Sequence, residues 1–188
     1  MYTLYLDTHY KDINIFLFKD KQLLDKIIIL NSMSTTKETM PNLIKLLENN
    51  HITIRDINKI AVNIGPGSFT GIRIGVTIAK VIAYSLKIDI ISLTSLDIVS
   101  FNVQDKGYIG VKENNGYFVG YYDKEIKDIK YYKKAEFEEF TKEKNIILDE
   151  SINCSRLIDY INEKKPENPY NINPLYVKDL EVSYVKKD

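Results

Sequence analysis

The chain opens with a two-residue alternation. Tyr2, Leu4 and Leu6 fall on one side of an extended segment, with Thr3 and Tyr5 on the other, which predicts a strand. "DINIFLFKDKQLLDKIIIL" carries two more apolar runs parted by Asp20 and Lys21, a tight polar turn that predicts a hairpin. The period then lengthens. Met40, Leu43, Ile44 and Leu47 stand at i, i+3, i+4 and i+7, a helical stripe. Thr35 and Glu38 have capping-box spacing, and Pro41 then falls inside the helix; a start near Thr39 would avoid its lost hydrogen bond. "KIAVNIG" is an unbroken apolar run of strand length, as expected of a strand buried on both faces. From Thr70 to Leu86 the residues are apolar or small except Arg73, Thr77, Lys80 and Tyr84, which share one face of a helix. "DIISL" predicts a strand, and "TSLDIVSF" a short helix capped by Thr94 or Ser95.

Periodicity is weaker beyond residue 100. "ENNG" marks a hairpin turn, "KAEFEEFTKEK" and "SRLIDYINEKK" read as amphipathic helices, and "NIILDES" as a short strand. "PENPYNINP" is a polar linker leading to an extended segment, "LYVKDLEV". The first half therefore reads β-β-β-α-β-α-β-α. Three antiparallel strands followed by crossovers predict an α/β fold, one mixed sheet with helices on it.

Four of the eight glycines lie in "NIGPGSFTGIRIG", Asn63 to Gly75. A Walker loop needs Lys-Ser or Lys-Thr after its last glycine, where Ile72 and Arg73 stand. The dinucleotide fingerprint G-x-G-x-x-G fails by one residue, because Gly65, Gly67 and Gly71 are spaced one too long. What survives is a strand, a Gly-Pro-Gly turn and a helix N-terminus. The free N–H groups there could receive an anion at Gly67, Ser68 and Thr70, or Ser68 or Thr70 could simply cap the helix. Gly71, Gly75, Ala79 and Ala83 then recur every four residues. Such a row lets another backbone come close, either within the chain or from a partner.

Composition narrows the function. Among 188 residues, Lys plus Arg equals Asp plus Glu, so the net charge is zero and no nucleic-acid footprint is visible. Cys154 is the single cysteine, which excludes a disulfide framework, fits a reducing compartment and reads as an inert thiol. No apolar run approaches the ~20 residues of a membrane span, and "MYTLYLDTHY" lacks the basic start of a signal peptide, so a cytoplasmic protein is expected. The two histidines, His9 and His51, are far apart and read as exposed polar residues, too few to hold a metal. Ser68 is not in G-x-S-x-G form, which argues against a serine hydrolase.

"GPGSFTGIRIGVTIAKVIA" closely resembles the signature of the TsaB (YeaZ) family. Weaker likenesses run along the chain in "YLDT", "MPNLIKLLENNHITIRDINKIAVNIG", "NNGYFVGYYD" and "NPLYVKD". The resemblance implies an ASKHA (actin-like ATPase, RNase H-like) fold, with a first lobe over residues 1–100 and a shortened second lobe over 101–188. It implies a non-catalytic subunit of the machinery that puts threonylcarbamoyl on adenosine 37 of tRNA. Such a subunit pairs with the catalytic paralogue TsaD and the ATPase TsaE, forms a homodimer when alone, and meets tRNA only through the complex. Contact through the two first-lobe helices would involve Met40, Leu43, Leu47, Gly71, Arg73, Gly75, Thr77, Ala79, Lys80 and Ala83. No tightly bound cofactor is expected, with ATP or ADP shared at the interface as the variant. Asp7 stands where enzymes of this fold place a phosphate- or metal-facing acid, although a strand-end Asp is more often a turn former. The family's Asp-Ala-Arg becomes Lys112-Glu113-Asn114, and its terminal Arg becomes Lys178, which weakens a nucleotide contact by the second lobe. A stand-alone ATP-binding or phosphotransfer enzyme is the alternative.

Overall fold

The structure, a computed structural model, describes residues 1–148 and 150–177. Its first sheet has five strands, β1 (Tyr2–Asp7), β2 (Ile13–Lys19), β3 (Gln22–Ile29), β4 (Ile57–Asn63) and β5 (Asp89–Leu93), in the order β3-β2-β1-β4-β5. β1, β2 and β3 run antiparallel as two hairpins, while β4 lies parallel to β1 and β5 parallel to β4. Parallel pairing requires crossovers, and helices α1 (Thr35–Asn49) and α2 (Phe69–Leu86) supply them.

Both sheet faces are covered. Leu4, Leu6, Ile15, Leu17, Ile60 and Val62 point to the face packed by Leu43, Leu46 and Leu47 of α1 and Ile72, Val76 and Ala79 of α2. Tyr5, Phe16, Phe18, Ala61 and Ile91 point the other way. There they meet Leu157, Ile158 and Ile161 of α5 (Cys154–Glu163). The second sheet, β6 (Gly107–Glu113), β7 (Gly116–Asp123), β8 (Glu125–Lys133) and the two-residue β9 (Ile146–Ile147), has the order β8-β7-β6-β9. Helix α4 (Lys134–Glu143) contacts its β7 and β8 strands. Helix α3 (Ser95–Ser100) serves both cores, with Ile98 in the α5 core and Leu96 and Val99 against Ile109, Val111 and Phe118 of the second sheet. Thr94 and Asp97 cap α3 reciprocally.

Several expectations change. Helix α1 starts at Thr35 and runs through Pro41, so the later start is not taken. Pro41 and Lys37, its i−4 partner, are both exposed, so water can serve the freed carbonyl. Ser34, not Thr35, occupies the N-cap position, and Glu38 instead accepts from the Ser32 hydroxyl. The apolar stripe of α1 is also divided. Leu43 and Leu47 are buried together with Thr39 and Leu46, whereas Met40 and Ile44 are exposed. Leu175–Val177 are not in a strand, and the rest of "LYVKDLEV", with Lys178, lies outside the described residues.

Helix α2 is long and apolar enough by itself to cross a membrane, but Gly71, Ile72, Gly75, Val76, Ala79, Ile82 and Ala83 are spent on the interior of this chain. The edge at β5 is closed by a segment after α5. Glu167 pairs with Ile90 through its N–H, and its carboxylate accepts from both the N–H and the hydroxyl of Ser92. Leu157 tests the role of α5. Its side chain is fully buried, so Leu157→Ala is expected to lower stability by about 2–5 kcal/mol, read as a reduced urea midpoint.

Candidate functional site

The parallel pairing of β1 with β4 brings the carboxyl ends of two strands side by side, Asp7 beside Asn63. Beyond β4 the chain turns through Gly65-Pro66-Gly67, with Gly65 at φ +97°, a left-handed conformation that glycine tolerates. The Gly65 N–H donates to Asn63 Oδ1 at 2.8 Å, and the Ser68 N–H donates to the His9 carbonyl at 2.6 Å. Ser95 sends its N–H to the Gly65 carbonyl, and its hydroxyl lies 2.8 Å from the Pro66 carbonyl. Ser68 caps α2, its hydroxyl accepting from the Gly71 N–H at 3.3 Å. The turn is thus closed over the β1 end. A Cβ built on Gly67 would lie 2.1 Å from the His9 carbonyl oxygen, where a phosphate cradle would have open space. Of the three residues expected to face an anion, Gly67 and Ser68 are engaged with His9 and only Thr70 is exposed. The turn in this arrangement does not fit a bound phosphate.

The same close approach explains the small-residue row. A Cβ on Gly71 would stand 2.1 Å from the Thr8 carbonyl oxygen, and one on Gly75 would stand 2.4 Å from Thr8 Oγ1. The Thr8 hydroxyl donates to the Gly71 carbonyl at 2.7 Å. Gly71, Gly75, Ala79 and Ala83 therefore face the interior, and so do Leu43 and Leu47, so these six expected contact residues are closed to a partner. Lys80 is half-buried and donates to the Ile172 carbonyl at 2.7 Å. Met40, Arg73 and Thr77 are exposed. They line an open groove of about 480 Å³ between α1 and α2, together with Thr36, Phe69, Thr70, Ile74 and Ile78. At its mouth the Phe69 ring lies 5.2 Å from the Tyr176 ring, with the Arg73 guanidinium 4.9 Å above it.

His9 is where the sequence reading most needs correction. It is buried, 8% exposed, rather than a surface residue. Its Nδ1 lies 2.7 Å from Asp7 Oδ1 and its Nε2 lies 3.2 Å from Glu150 Oε2. Asp7 is no turn former either. It is buried and accepts from the His9 N–H, from Tyr5 Oη at 3.0 Å and from Asn63 Nδ2 at 3.1 Å. Burial alone would oppose ionisation of both groups. For His9 the Asp7 charge and hydrogen bond, helped by Glu150, outweigh burial and push its pKa up to about 10. For Asp7 the His9 charge and the hydrogen bonds from His9 and Asn63 outweigh burial and hold the carboxyl below its usual range. Burial and the adjacent carboxylate push the Tyr5 hydroxyl well up. His51 is exposed at a positive φ after α1. Among the described residues no group of three or more His, Cys, Asp or Glu is arranged to hold a metal ion. Cys154 is half-buried, and burial pushes its thiol up.

Asp7 and His9 are two apart at the end of a strand, a spacing visible in "LDTH", but Glu150 is 141 residues away and only the fold supplies it.

A mixed sheet of order 3-2-1-4-5, with the glycine turn closing over the first strand and a second sheet behind it, defines an ASKHA-type fold, that of actin-like ATPases and RNase H. An uncharacterized Pseudomonas aeruginosa protein with similarity to peptidase YeaZ superimposes with a TM-score of 0.75 at 14% identity, over 94% of this chain and 99% of that one. YeaZ of the same organism superimposes with a TM-score of 0.57 at 19% identity, over 70% of this chain and 64% of that one. The family model of TsaD, tRNA N6-adenosine threonylcarbamoyltransferase, matches residues 31–184. The chain belongs to this family, among its TsaB (YeaZ) members. The Bacillus subtilis tRNA threonylcarbamoyladenosine biosynthesis protein TsaB is 35% identical over 102 residues, 54% of this chain and 44% of that protein. The chain thus spans less than half the length of that curated relative. An uncharacterized Mycoplasma genitalium protein is 29% identical over 95% of each chain.

Two measurements test this site. Gly75→Ala is expected to cost about 1–3 kcal/mol through its clash with Thr8 Oγ1, and Thr8→Ala should relieve part of that in the double variant. Gly71→Ala clashes with a backbone oxygen, so Thr8→Ala should bring it no relief; denaturant unfolding of the three single and two double variants reads both. The His9 contribution to stability is complete below 6.5, its unfolded value, and falls away as pH rises toward about 10. The urea midpoint should accordingly decline across that interval, and less steeply in His9→Gln.

Proposed function

We propose that the chain is a non-catalytic subunit of the complex that transfers threonylcarbamoyl to adenosine 37 of tRNA, and that it works by docking on the catalytic paralogue TsaD. The observation that carries this reading is the groove between α1 and α2. It is open and largely apolar, carries exposed Met40 and Phe69, and has the Arg73 guanidinium of α2 stacked over the Phe69 ring. Exposed apolar residues grouped in this way are suited to a protein partner. Six of its lining residues, Phe69, Thr70, Arg73, Ile74, Thr77 and Ile78, lie in the stretch that resembles the TsaB signature. The interior row of small residues has an indirect part in docking, since it sets α2 deep enough for Arg73, Thr77 and Tyr84 to form its outer face.

The polar cluster supports a non-catalytic role. A general base must be neutral at working pH, and His9 is held charged between two carboxylates. Ser68 gives its hydroxyl to the helix cap, and its bond to His9 runs from backbone to backbone, not to the ring. A nucleotide used by the complex would be held mainly by the partner, with Thr70 at the groove as this chain's contact. The neutral net charge fits a protein that meets tRNA through the complex and works in the cytoplasm with TsaD and TsaE. When TsaD is absent, the same groove would serve a second copy of the chain.

Met40→Glu and Thr77→Arg alter exposed groove residues and should change stability by no more than about 0.5 kcal/mol. Together they are expected to weaken binding to the cognate TsaD by about tenfold or more in calorimetric titration. Unchanged affinity in the folded double variant would refute the proposed docking face.

A further inference from the structure

We propose that Asp7, His9 and Glu150 form a latch that fixes the two sheets to one another: the imidazole takes one carboxylate from the end of β1 and one from the connection between β9 and α5. Glu150 is itself anchored to the second sheet, because its Oε1 accepts from the Lys112 N–H of β6 at 3.0 Å while its Oε2 faces His9. A single carboxylate therefore joins the backbone of β6 to the ring of His9. On the other side His9 is fixed three ways to the first sheet. Its N–H and Nδ1 bond Asp7 Oδ1, and its carbonyl accepts from the Ser68 N–H of the glycine turn.

Among the described residues the groups facing the ring are few. The carboxylates are Asp7 from β1 and Glu150. The neutral groups are the Asn63 amide from β4, 3.2 Å from Nδ1, and Tyr5, which donates to Asp7. Both carboxylates lie on ring nitrogens, so the charged ring can donate in both directions at once, and charge-assisted bonds of this kind are about twice as strong as neutral ones. The Asp7 side is fully buried, whereas the Glu150 side chain keeps 27% exposure. The weaker, wetter arm of the latch is therefore the one that spans the sheets. If it parts, the first sheet keeps its own Asp7–His9 pair and its core.

Hydrogen exchange and ring nitrogen shifts test it on the full chain. The His9 ring, distinguished by comparison with His51→Gln, should remain doubly protonated at pH 7, with both N–H groups bonded. Glu150→Ala should accelerate amide exchange at Lys112 by about tenfold, the size expected for loss of a charge-assisted bond, and leave β1 and β4 protected. Glu150→Gln, which retains the side-chain size, should give a smaller acceleration. A neutral His9 ring at pH 7, or Lys112 exchange at the wild-type rate in both variants, would overturn the latch.

Discussion

The near contact of helix α2 with the end of β1 governs the rest of the molecule. Three glycines make it, and the atoms they approach are mostly backbone: the His9 carbonyl at Gly67, the Thr8 carbonyl at Gly71 and the Thr8 hydroxyl at Gly75. A carbonyl cannot turn aside as a long side chain can, so any Cβ at the first two positions must move the strand or the helix. Because α2 lies this deep, the row of small residues disappears into the interior, and the opposite face, with Arg73, Thr77, Val81 and Tyr84, is what the solvent meets. The same approach brings the glycine turn down over Asp7 and His9.

Closing the turn creates an electrostatic problem, which the cluster beneath it solves. Asp7 is buried and charged, and burial of an unpaired carboxylate is strongly unfavourable. Tyr5, Asn63 and the His9 backbone satisfy its oxygens, and the His9 ring neutralises it. Proximity of a histidine to an acid is often taken to signal catalysis. Here the ring has a carboxylate at each nitrogen, which favours its charged form, and in the proposed latch it ties one sheet to the other.

What the sequence disclosed and what it hid follow from physical range. Strand and helix periods are local, and so the eight elements of the first half could be read directly; the sequence narrows the α3 cap to Thr94 or Ser95, and the fold uses Thr94. The glycine row announced that some backbone passes close by, but spacing along a helix cannot name the neighbour, and Thr8 lies 63 residues from Gly71. Helix α1 misled because Met40 and Ile44 have the same period as Leu43 and Leu47; the true inner face is one position round, through Thr39 and Leu46, and a threonine is a poor marker of burial. His9 misled for the converse reason. A polar residue just beyond a strand looks exposed until the turn after β4 is folded over it, and Glu150 enters from the far end of the chain.

Helix α5 has a consequence for the order in which this protein can be assembled. The aromatic face of the first sheet, with Tyr5, Phe16 and Phe18, is finished by Leu157, Ile158 and Ile161, and the β5 edge by Glu167. A ribosome delivers the strands first and their cover last, after the whole second sheet has emerged. Until then the nascent first sheet carries a wide aromatic surface and an open edge. The second sheet is in effect a long insertion between a sheet and its lid, so the aromatic face of the first sheet stays uncovered until α5 is synthesised.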